Sequence, residues 1–351
     1  MKRLAVLWFL VHFALEVICF QFYTQFFRST VFALSATLIY DTLAFFPQFL
    51  IGGFAEKQPR FPLGITGAAM VLTGALSAFT ACIPLRFTGL LLLSVGNACV
   101  HVSGAAATLY TCRDKISPSA VFIAGGAFGV FAGTLLGSFG YSVLIGICAM
   151  LFGAVLMLFS ARILNQIGRK APLLHMADPR RSSVTVILLA FFVVSVRGLL
   201  AYGIPTGWNR SWKHTAALFC MMGLGKAAGG FCSDFLGARK TAVLSTICAV
   251  PLLLLGDANM WVSLTGIMLF SMTMASTLGI VVSASPKHPV GAYGITVLGL
   301  FVGSVPALIP AVHRFVSSGW VLGILSLLCC AALWYIMAPD TPVTQYERSR
   351  K

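Results

Sequence analysis

Six ionisable side chains and one amide lie inside long apolar stretches of the sequence, where such groups are rare. They are His12, Glu16, Asp41, Asn97, His101, Arg197 and Lys226. At the centre of a bilayer an ionisable side chain costs from about 2.5–3.5 kcal/mol, judged by insertion, to far more in simulations. Such groups persist where they face an internal cavity and find partners. Each is therefore a candidate for binding a substrate or carrying a proton.

Their spacing groups four of them into two pairs. His12 and Glu16 are four residues apart, as are Asn97 and His101, so each pair shares one face of a helix. Because burial in an apolar cavity favours the neutral form of a carboxyl group, we expect Glu16 to load and release a proton. His12 or His101 would tune or relay that proton.

The remaining charges have a second expected role. Arg197 would bind an anionic group of a substrate, or pair with Glu16 or Asp41 when no substrate is bound. Lys226 would contribute to the same cavity, or extend its ammonium group towards the membrane surface. For Glu16, Asp41, His101 and Arg197 the alternative is a static role, as partners in ion pairs or hydrogen bonds between helices.

The composition shows what surrounds these residues. Of 351 residues, 58% are hydrophobic and 9% are charged, and the mean hydropathy is +0.93, whereas soluble domains have about 25% charged residues. The solvent of most of the chain must be lipid. The net charge of +15 does not indicate nucleic-acid binding, because the basic residues lie in short gaps between apolar runs. Most of the ten cysteines lie inside those runs, as small buried hydrophobes.

A helix needs about 20 apolar residues to cross a bilayer, and the sequence predicts twelve such spans. The first is read as an uncleaved membrane span because Glu16 interrupts its apolar core and no small-residue cleavage site follows. The predicted spans are 4–26, 30–54, 62–82, 86–110, 118–139, 141–162, 184–205, 212–234, 240–256, 259–283, 290–311 and 317–338.

The distribution of Lys and Arg predicts the orientation. With the N-terminus inside, seventeen of these residues lie in cytoplasmic segments, five lie on the other side and two lie within spans. Cytoplasmic loops are enriched in Lys and Arg, so both termini should be cytoplasmic. We expect an N-terminal six-helix bundle at 1–162, a cytoplasmic connector at 163–183, a C-terminal bundle at 184–338 and a cytoplasmic tail at 339–351.

Two loops carry related motifs, one in each half of the chain. The first motif contains Gly52, Glu56, Lys57 and Arg60, and the second contains Gly230, Asp234, Gly237, Arg239 and Lys240. A second repeat relates span 5 to span 11, where 129–134 (GVFAGT) matches 299–304 (GLFVGS). Repeats at similar offsets indicate two related halves.

The second motif resembles the loop signature of the major facilitator superfamily, in which a glycine and an acid are followed by Gly-x-basic-basic. In the first copy Pro59 stands where a glycine is expected. The resemblance implies an all-α membrane fold of two pseudo-symmetric six-helix bundles, with spans 1, 4, 7 and 10 lining a central cavity. It also implies a cytoplasmic gate, in which each acid caps a helix or pairs across the bundles while that side is closed, and alternating access by rocking of the bundles.

A weaker resemblance concerns spans 1 and 4. His12-x-x-x-Glu16 and the segment from Asn97 to His101 are similar to the fosmidomycin-resistance type of exporter and its bacterial relatives. Val102 and Ser103 stand where a proline and an acid follow the histidine in those proteins, so their drug specificity is not implied.

These observations predict a secondary transporter in the plasma membrane, with proton-coupled export (antiport) of a small molecule as its function. The partners are then a small-molecule substrate, protons and the bilayer, and the protein is expected to be a monomer with no cofactor, no metal and no catalytic site. Proton-coupled uptake of a nutrient is one alternative, and a non-transporting membrane receptor or enzyme is another. Among these, the short loops disfavour an enzyme.

Overall fold

The computed structural model describes residues 2–167 and 170–340. Within these residues, eleven helices are long and apolar enough to cross a membrane, and one further apolar helix, Leu63–Phe79, is shorter. The prediction of twelve spans is thus confirmed. Arg169, Arg348, Arg350 and Lys351, which enter the orientation count, lie outside the described residues.

We number the spans from 1 to 12 along the chain. Spans 2, 3 and 11 each consist of two segments that follow one another. The bounds are Lys2–Phe26, Ala33–Phe45 with Gln48–Lys57, Leu63–Ala75 with Leu76–Phe79, Ile83–Cys112, Ser117–Ser138, Leu144–Ile167, Ser183–Gly203, Trp212–Leu236, Ala238–Leu255, Met260–Ala284, Pro289–Ser304 with Val305–Leu308, and Gly319–Ile336.

Prolines divide spans 2 and 11. Span 2 is interrupted at Pro47, because proline lacks the amide that continues a helix and its ring clashes with the preceding turn. The Gln48 side chain donates to the carbonyl oxygen of Ala44 at 2.7 Å. Span 11, predicted at 290–311, covers Pro289–Leu308: its α-helix ends at Ser304 and passes into a 3-10 turn, and a separate short helix, Pro310–Val316, follows.

The closely spaced spans 5 and 6 are separated by a glycine turn. Gly140 has φ +69°, a left-handed conformation that glycine adopts without a steric penalty. The amide of Tyr141 donates to the Leu136 carbonyl at 3.0 Å, which is the kind of bond that closes a helix C-terminus. The chain can therefore reverse over a few residues and begin span 6 at Leu144.

The two halves are packed in equivalent ways. Span 1 packs on span 5 and span 7 packs on span 11, and glycines make both contacts close. A methyl group at Gly129 would lie 2.5 Å from the Phe13 carbonyl oxygen, and one at Gly303 would collide with the Ser195 backbone. Small residues let membrane helices approach in this way. Between the halves, span 5 packs on span 8 and span 2 packs on span 11.

The connector 170–182 defines one face of the protein, which we call the connector face. The Asp178 amide donates to the Ile336 carbonyl and the Ala338 amide to the Met176 carbonyl, both at 2.9 Å. Arg180 binds the Asp178 carboxylate, with Nη2 2.9 Å from Oδ2. The hydrogen bonds from the Arg180 side chain and backbone amide hold the pKa of the Asp178 carboxyl group at about 2, because they favour its charged form. The two backbone hydrogen bonds attach the connector to the end of span 12.

Candidate functional site

Four of the candidate residues form one polar cluster between spans 1 and 4. The Nε2 atoms of His12 and His101 lie 2.7 Å apart. Glu16 Oε1 accepts a hydrogen bond from Asn97 Nδ2 at 3.0 Å. All four residues are buried, with at most 6% of their surface exposed. The i, i+4 spacing in each span turns both pairs towards one point.

Two glycines of span 5 leave room for the cluster. A methyl group at Gly126 would collide with the His12 ring, and one at Gly129 would lie 2.7 Å from the Glu16 Cβ. The close packing of spans 1 and 5 and the position of the His12 ring thus depend on one face of span 5, the glycine face, which contains Gly126 and Gly129. The repeat at 129–134 includes Gly129 but did not link it to the polar groups.

Further partners orient the cluster. The Phe122 carbonyl oxygen lies 2.8 Å from His12 Nδ1, and the Asn97 carbonyl oxygen lies 3.1 Å from His101 Nδ1. Asn97 Nδ2 also lies 3.0 Å from the Tyr40 hydroxyl. Sequence reasoning missed Phe122, which acts through its backbone and gives no signal in its side chain. It also missed Tyr40, although the next residue along the chain is one of the candidate acids.

The cluster borders a central cavity of about 200 Å³ between the two halves. Its wall includes the three ionisable cluster residues, together with Arg197 of span 7 and Lys226 of span 8. The resemblance implied a lining from spans 1, 4, 7 and 10, and spans 2, 5, 8 and 11 also contribute. The aromatic and methionine side chains of the wall are Phe20, Phe45, Phe219, Met222, Met274 and Tyr293.

Arg197 does not form the ion pair expected for it. In the part of the chain that the structure describes, neither Arg197 nor Lys226 forms a salt bridge. The Arg197 guanidinium carbon lies 5.4 Å from the centre of the Phe270 ring, and its Nε has no hydrogen-bond partner. The expected pairing of Arg197 with Glu16 or Asp41 is therefore wrong in this conformation, since span 4 engages Glu16 instead.

Asp41 is half-buried and is not among the residues that line the cavity. Its neighbour Tyr40 contacts the cluster in its place. Successive residues of an α-helix differ by about 100° in direction, so the two side chains cannot face the same point. Asp41 remains within electrostatic range of Tyr40 and Tyr202.

His12, Glu16 and His101 also form a group of metal-ligating type. One donor atom of each lies within 4.8 Å of the others. The sequence analysis predicted no metal; His12 and Glu16 lie in span 1, and only the fold brings His101 of span 4 beside them. However, two nitrogen ligands at the usual 2.0–2.1 Å from a tetrahedral zinc ion lie about 3.3 Å apart. The 2.7 Å between the imidazoles is a hydrogen-bond distance.

The acids of the two loop motifs make equivalent contacts at the connector face. Glu56 Oε1 accepts the amide hydrogens of Val290 at 2.7 Å and Gly291 at 3.0 Å, at the start of span 11. Asp234 accepts the amide hydrogens of Ile116 at 2.8 Å and Ser117 at 3.0 Å, at the start of span 5. Each acid therefore caps a helix of the opposite half. Pro59 in the first motif leaves this contact intact.

The other motif residues support these contacts or lie apart from them. Span 2 can approach span 11 closely because Gly52 has no side chain: a methyl group there would lie 2.8 Å from the Val290 carbonyl oxygen. Lys57 and Arg60 are exposed. Gly230 lies close to Ser117 and Ala120 of span 5.

The basic part of the second motif holds the end of span 12 and does not face the acid. Arg239 donates to the Trp334 carbonyl at 2.8 Å and covers the Trp334 ring at 3.6 Å. The amides of Arg239 and Lys240 donate to the Asp340 carboxylate at 3.1 and 2.9 Å. Gly237 has φ +101° beside that carboxylate, a conformation that favours glycine.

Comparisons with solved structures define the fold. A single-residue variant of the E. coli fucose:proton symporter FucP is similar to this chain with a TM-score of 0.66 at 13% identity, over 95% of this chain and 96% of that chain. FucP in the outward conformation gives 0.62 at 15% identity, with the same coverage. The human organic anion transporter MFSD10 (TETRAN) gives 0.67 at 16% identity and covers 95% and 99%.

No family profile and no curated protein matches the sequence. The structural likeness nevertheless extends over nearly the whole chain in all three comparisons. The protein is a multi-pass helical membrane protein with a charged cavity between two halves. Its fold is the major facilitator fold.

Proposed function

We propose that the protein is a proton-coupled secondary transporter that moves a small anionic molecule across the plasma membrane by alternating access. The observation that supports this proposal is the cavity between the halves, whose wall includes Arg197, Lys226 and the His12–Glu16–His101 cluster. Substrate sites of two-repeat transporters lie at such an interface near the membrane midplane. Both termini are cytoplasmic in this proposal, and the protein acts as a monomer.

The positive charges of the cavity support an anionic substrate. Arg197 and Lys226 lack a salt-bridge partner among the described residues, and an unpaired charge in a low-dielectric site is costly. A carboxylate, phosphate or sulfonate group would offset that cost and bind the guanidinium in two-pronged fashion. MFSD10, which has the same fold, is an organic anion transporter by its title.

The contacts of Glu56 and Asp234 support a gate at the connector face, which is the cytoplasmic face in this proposal. Each carboxylate joins the halves by hydrogen bonds to backbone amides. Hydrogen bonds to charged groups contribute about 1.5–3 kcal/mol each. Breaking these hydrogen bonds is therefore a distinct and reversible step between the closed and the open state of the cytoplasmic side.

Export is the direction that the His12-x-x-x-Glu16 resemblance implies, and uptake by symport is the second candidate. A proton on the cluster makes the cavity more positive and strengthens the binding of an anion. Binding of the proton and binding of the substrate therefore favour each other. Positive coupling of this kind favours movement of both in one direction. FucP, which shares the fold, is a proton symporter by its title.

The test begins with the purified protein in detergent and a panel of small carboxylates, phosphates and sulfonates. A ligand at 100 times its Kd stabilises the folded state by about 2.7 kcal/mol, which thermal unfolding detects. Arg197→Gln should abolish the shift, and Lys213→Gln, an exposed cation outside the cavity, should retain it. Stabilisation by neutral compounds alone, undiminished in Arg197→Gln, would contradict an anionic substrate.

Transport of the anion found in that screen is then measured in inside-out and right-side-out vesicles with an imposed pH gradient. Accumulation in one orientation distinguishes export from uptake. Glu16→Gln should remove the dependence on the gradient. If proton-driven transport by this variant retains an unchanged pH profile, the cluster does not couple protons to the substrate.

A further inference from the structure

We infer that His12 and His101 share one proton between their Nε2 atoms and that Glu16 is its fixed counter-ion. The proton carrier of the site is then the histidine pair, and the carboxylate stays charged. This inference deepens the proposed function and rests on it only for its role in transport. The hydrogen-bond geometry of the pair carries it.

The tautomer of each ring is set by a backbone carbonyl. A carbonyl oxygen accepts hydrogen bonds and cannot donate them. Since the Phe122 oxygen lies 2.8 Å from His12 Nδ1, His12 must have its hydrogen on Nδ1. The Asn97 oxygen lies 3.1 Å from His101 Nδ1, so the same holds for His101.

A neutral imidazole with a hydrogen on Nδ1 has a bare lone pair on Nε2. If both rings were neutral, two lone pairs would face each other at 2.7 Å with no hydrogen between them. One added proton turns this repulsion into an N–H···N hydrogen bond of ordinary length. The rings are nearly perpendicular, at 80°, and their centroids lie 4.3 Å apart.

Glu16 supplies the matching negative charge. Its Oε1 lies 3.4 Å from His101 Nε2 and 3.7 Å from His12 Nε2, and the same oxygen accepts the Asn97 amide hydrogen. An ionised carboxylate has no hydrogen to donate, and Oε1 accepts from Asn97 while it faces both Nε2 atoms. One imidazolium and one carboxylate leave the cluster neutral overall, which lowers the cost of burial compared with either charge alone.

Charges on the neighbouring spans favour the ionised Glu16 carboxylate and oppose the shared proton, and the carboxylate offsets that opposition. Lys226 of span 8 is within electrostatic range of the three cluster residues, and Arg197 of span 7 lies on the same cavity wall. Two positive groups oppose a cationic histidine pair unless a carboxylate accompanies it. The other titratable neighbours are Cys19 of span 1, Tyr40 and Asp41 of span 2 and Tyr293 of span 11.

Loss of the proton to the cavity would change the geometry as well as the charge. The two lone pairs would repel, so one imidazole must turn away or separate from the other. The carboxylate would then remain beside Lys226, and the cavity would become less positive by one charge. Proton release is thereby linked to weaker binding of an anion, with no change in the protonation of Glu16.

The test is ¹⁵N NMR of the substrate-free, histidine-labelled protein in nanodiscs, since it needs no variant that could misfold. The expected spectrum at neutral pH shows two rings with protonated Nδ1 and one proton coupled to both Nε2 atoms. His101→Gln should remove this signal. His214→Gln should leave it unchanged, because His214 lies at the start of span 8 and is not part of the cluster. A bare Nδ1 in either ring, or two unprotonated Nε2 atoms, would overturn the inference.

Two further measurements test the counter-ion role of Glu16 and the alternative of a metal site. Glu16→Gln should abolish the shared-proton signal at neutral pH because the counter-ion is gone, whereas Asp257→Asn, in a loop, should not. A signal that survives Glu16→Gln overturns the counter-ion role. Stoichiometric zinc in the purified protein, absent from His101→Gln, would identify the site as a metal centre instead. None of these results depends on transport, so a failed transport assay leaves them interpretable.

Discussion

Glu56 and Asp234 make the same contact from opposite halves of the protein. Each carboxylate ends a span of its own half and accepts two backbone amide hydrogens at the first turn of a helix in the other half. The first turn of a helix has unpaired amides and a partial positive charge, so a carboxylate is favoured there. The structure thus has two equivalent latches on one face, each formed by a carboxylate and a helix start, and at Glu56 the His288 Nδ1 also lies 3.0 Å from Oε2.

The first prediction concerns these latches. Asp234→Asn removes the negative charge and weakens two charge-assisted bonds, so we expect a loss of about 1.5–3 kcal/mol from the closed state. The ratio of open to closed protein should rise at least tenfold. Distances between spin labels at Gln58 and Lys287, one in each half of the connector face, would report this change.

The matched control for that experiment is Asp340→Asn. Asp340 also caps a helix start, through the amides of Arg239 and Lys240, but this contact lies within one half. We expect its label distances to remain as in the wild type. Equal opening in both variants would mean that the Asp234 contact is not a latch between halves.

The second prediction concerns the cost of the cavity charge. Arg197→Leu should raise the unfolding temperature of the substrate-free protein, because an unpaired charge in a low-dielectric site is costly and an apolar side chain removes that cost. The same variant should lose any stabilisation by an anionic ligand. Lys213→Leu, an exposed cation, should do neither. A destabilised Arg197→Leu protein would indicate a structural role for the guanidinium.

The third prediction concerns the glycine face behind the histidine pair. A methyl group at Gly126 collides with the His12 ring, and overpacking of this kind typically costs about 1–3 kcal/mol. Gly126→Ala should lower the unfolding temperature and displace the His12 ring from His101. Gly53→Ala is the control, since a methyl group there meets no atom within 4 Å. Equal unfolding temperatures for the two variants would contradict this account.

The fourth prediction concerns the connector. The pKa of Asp178 is lowered from 3.8 to about 2 by its bonds to Arg180. A lowered pKa stabilises the folded state above pH 3.8, and this stabilisation is lost as the pH falls towards 2. Asp178→Asn should therefore unfold at a lower temperature than the wild type at pH 7, and the difference should shrink at about pH 3. Arg180→Gln should behave in the same way. A difference that does not change with pH would exclude this ion pair as its cause.

The sequence alone determined the membrane class, the number of spans and most of their limits. Hydropathy and helical periodicity are local properties, and the lipid solvent requires the backbone of each span to satisfy its own hydrogen bonds. The pairs His12 with Glu16 and Asn97 with His101 could be placed on common helix faces for the same reason. The break of span 2 at Pro47 and the early end of span 11 were less predictable, because neighbouring spans decide whether a proline bends or ends a membrane helix.

Only the tertiary structure decided which of these faces meet. His12 and His101 are 89 residues apart, and they touch because spans 1, 4 and 5 pack closely around small residues. The structure also separated Arg197 and Asp41 from the ion pairs expected for them. The partners of Glu56, Asp234 and both histidines include backbone amides and carbonyls, which every residue has. Such groups leave no mark in the sequence, so packing alone could reveal them.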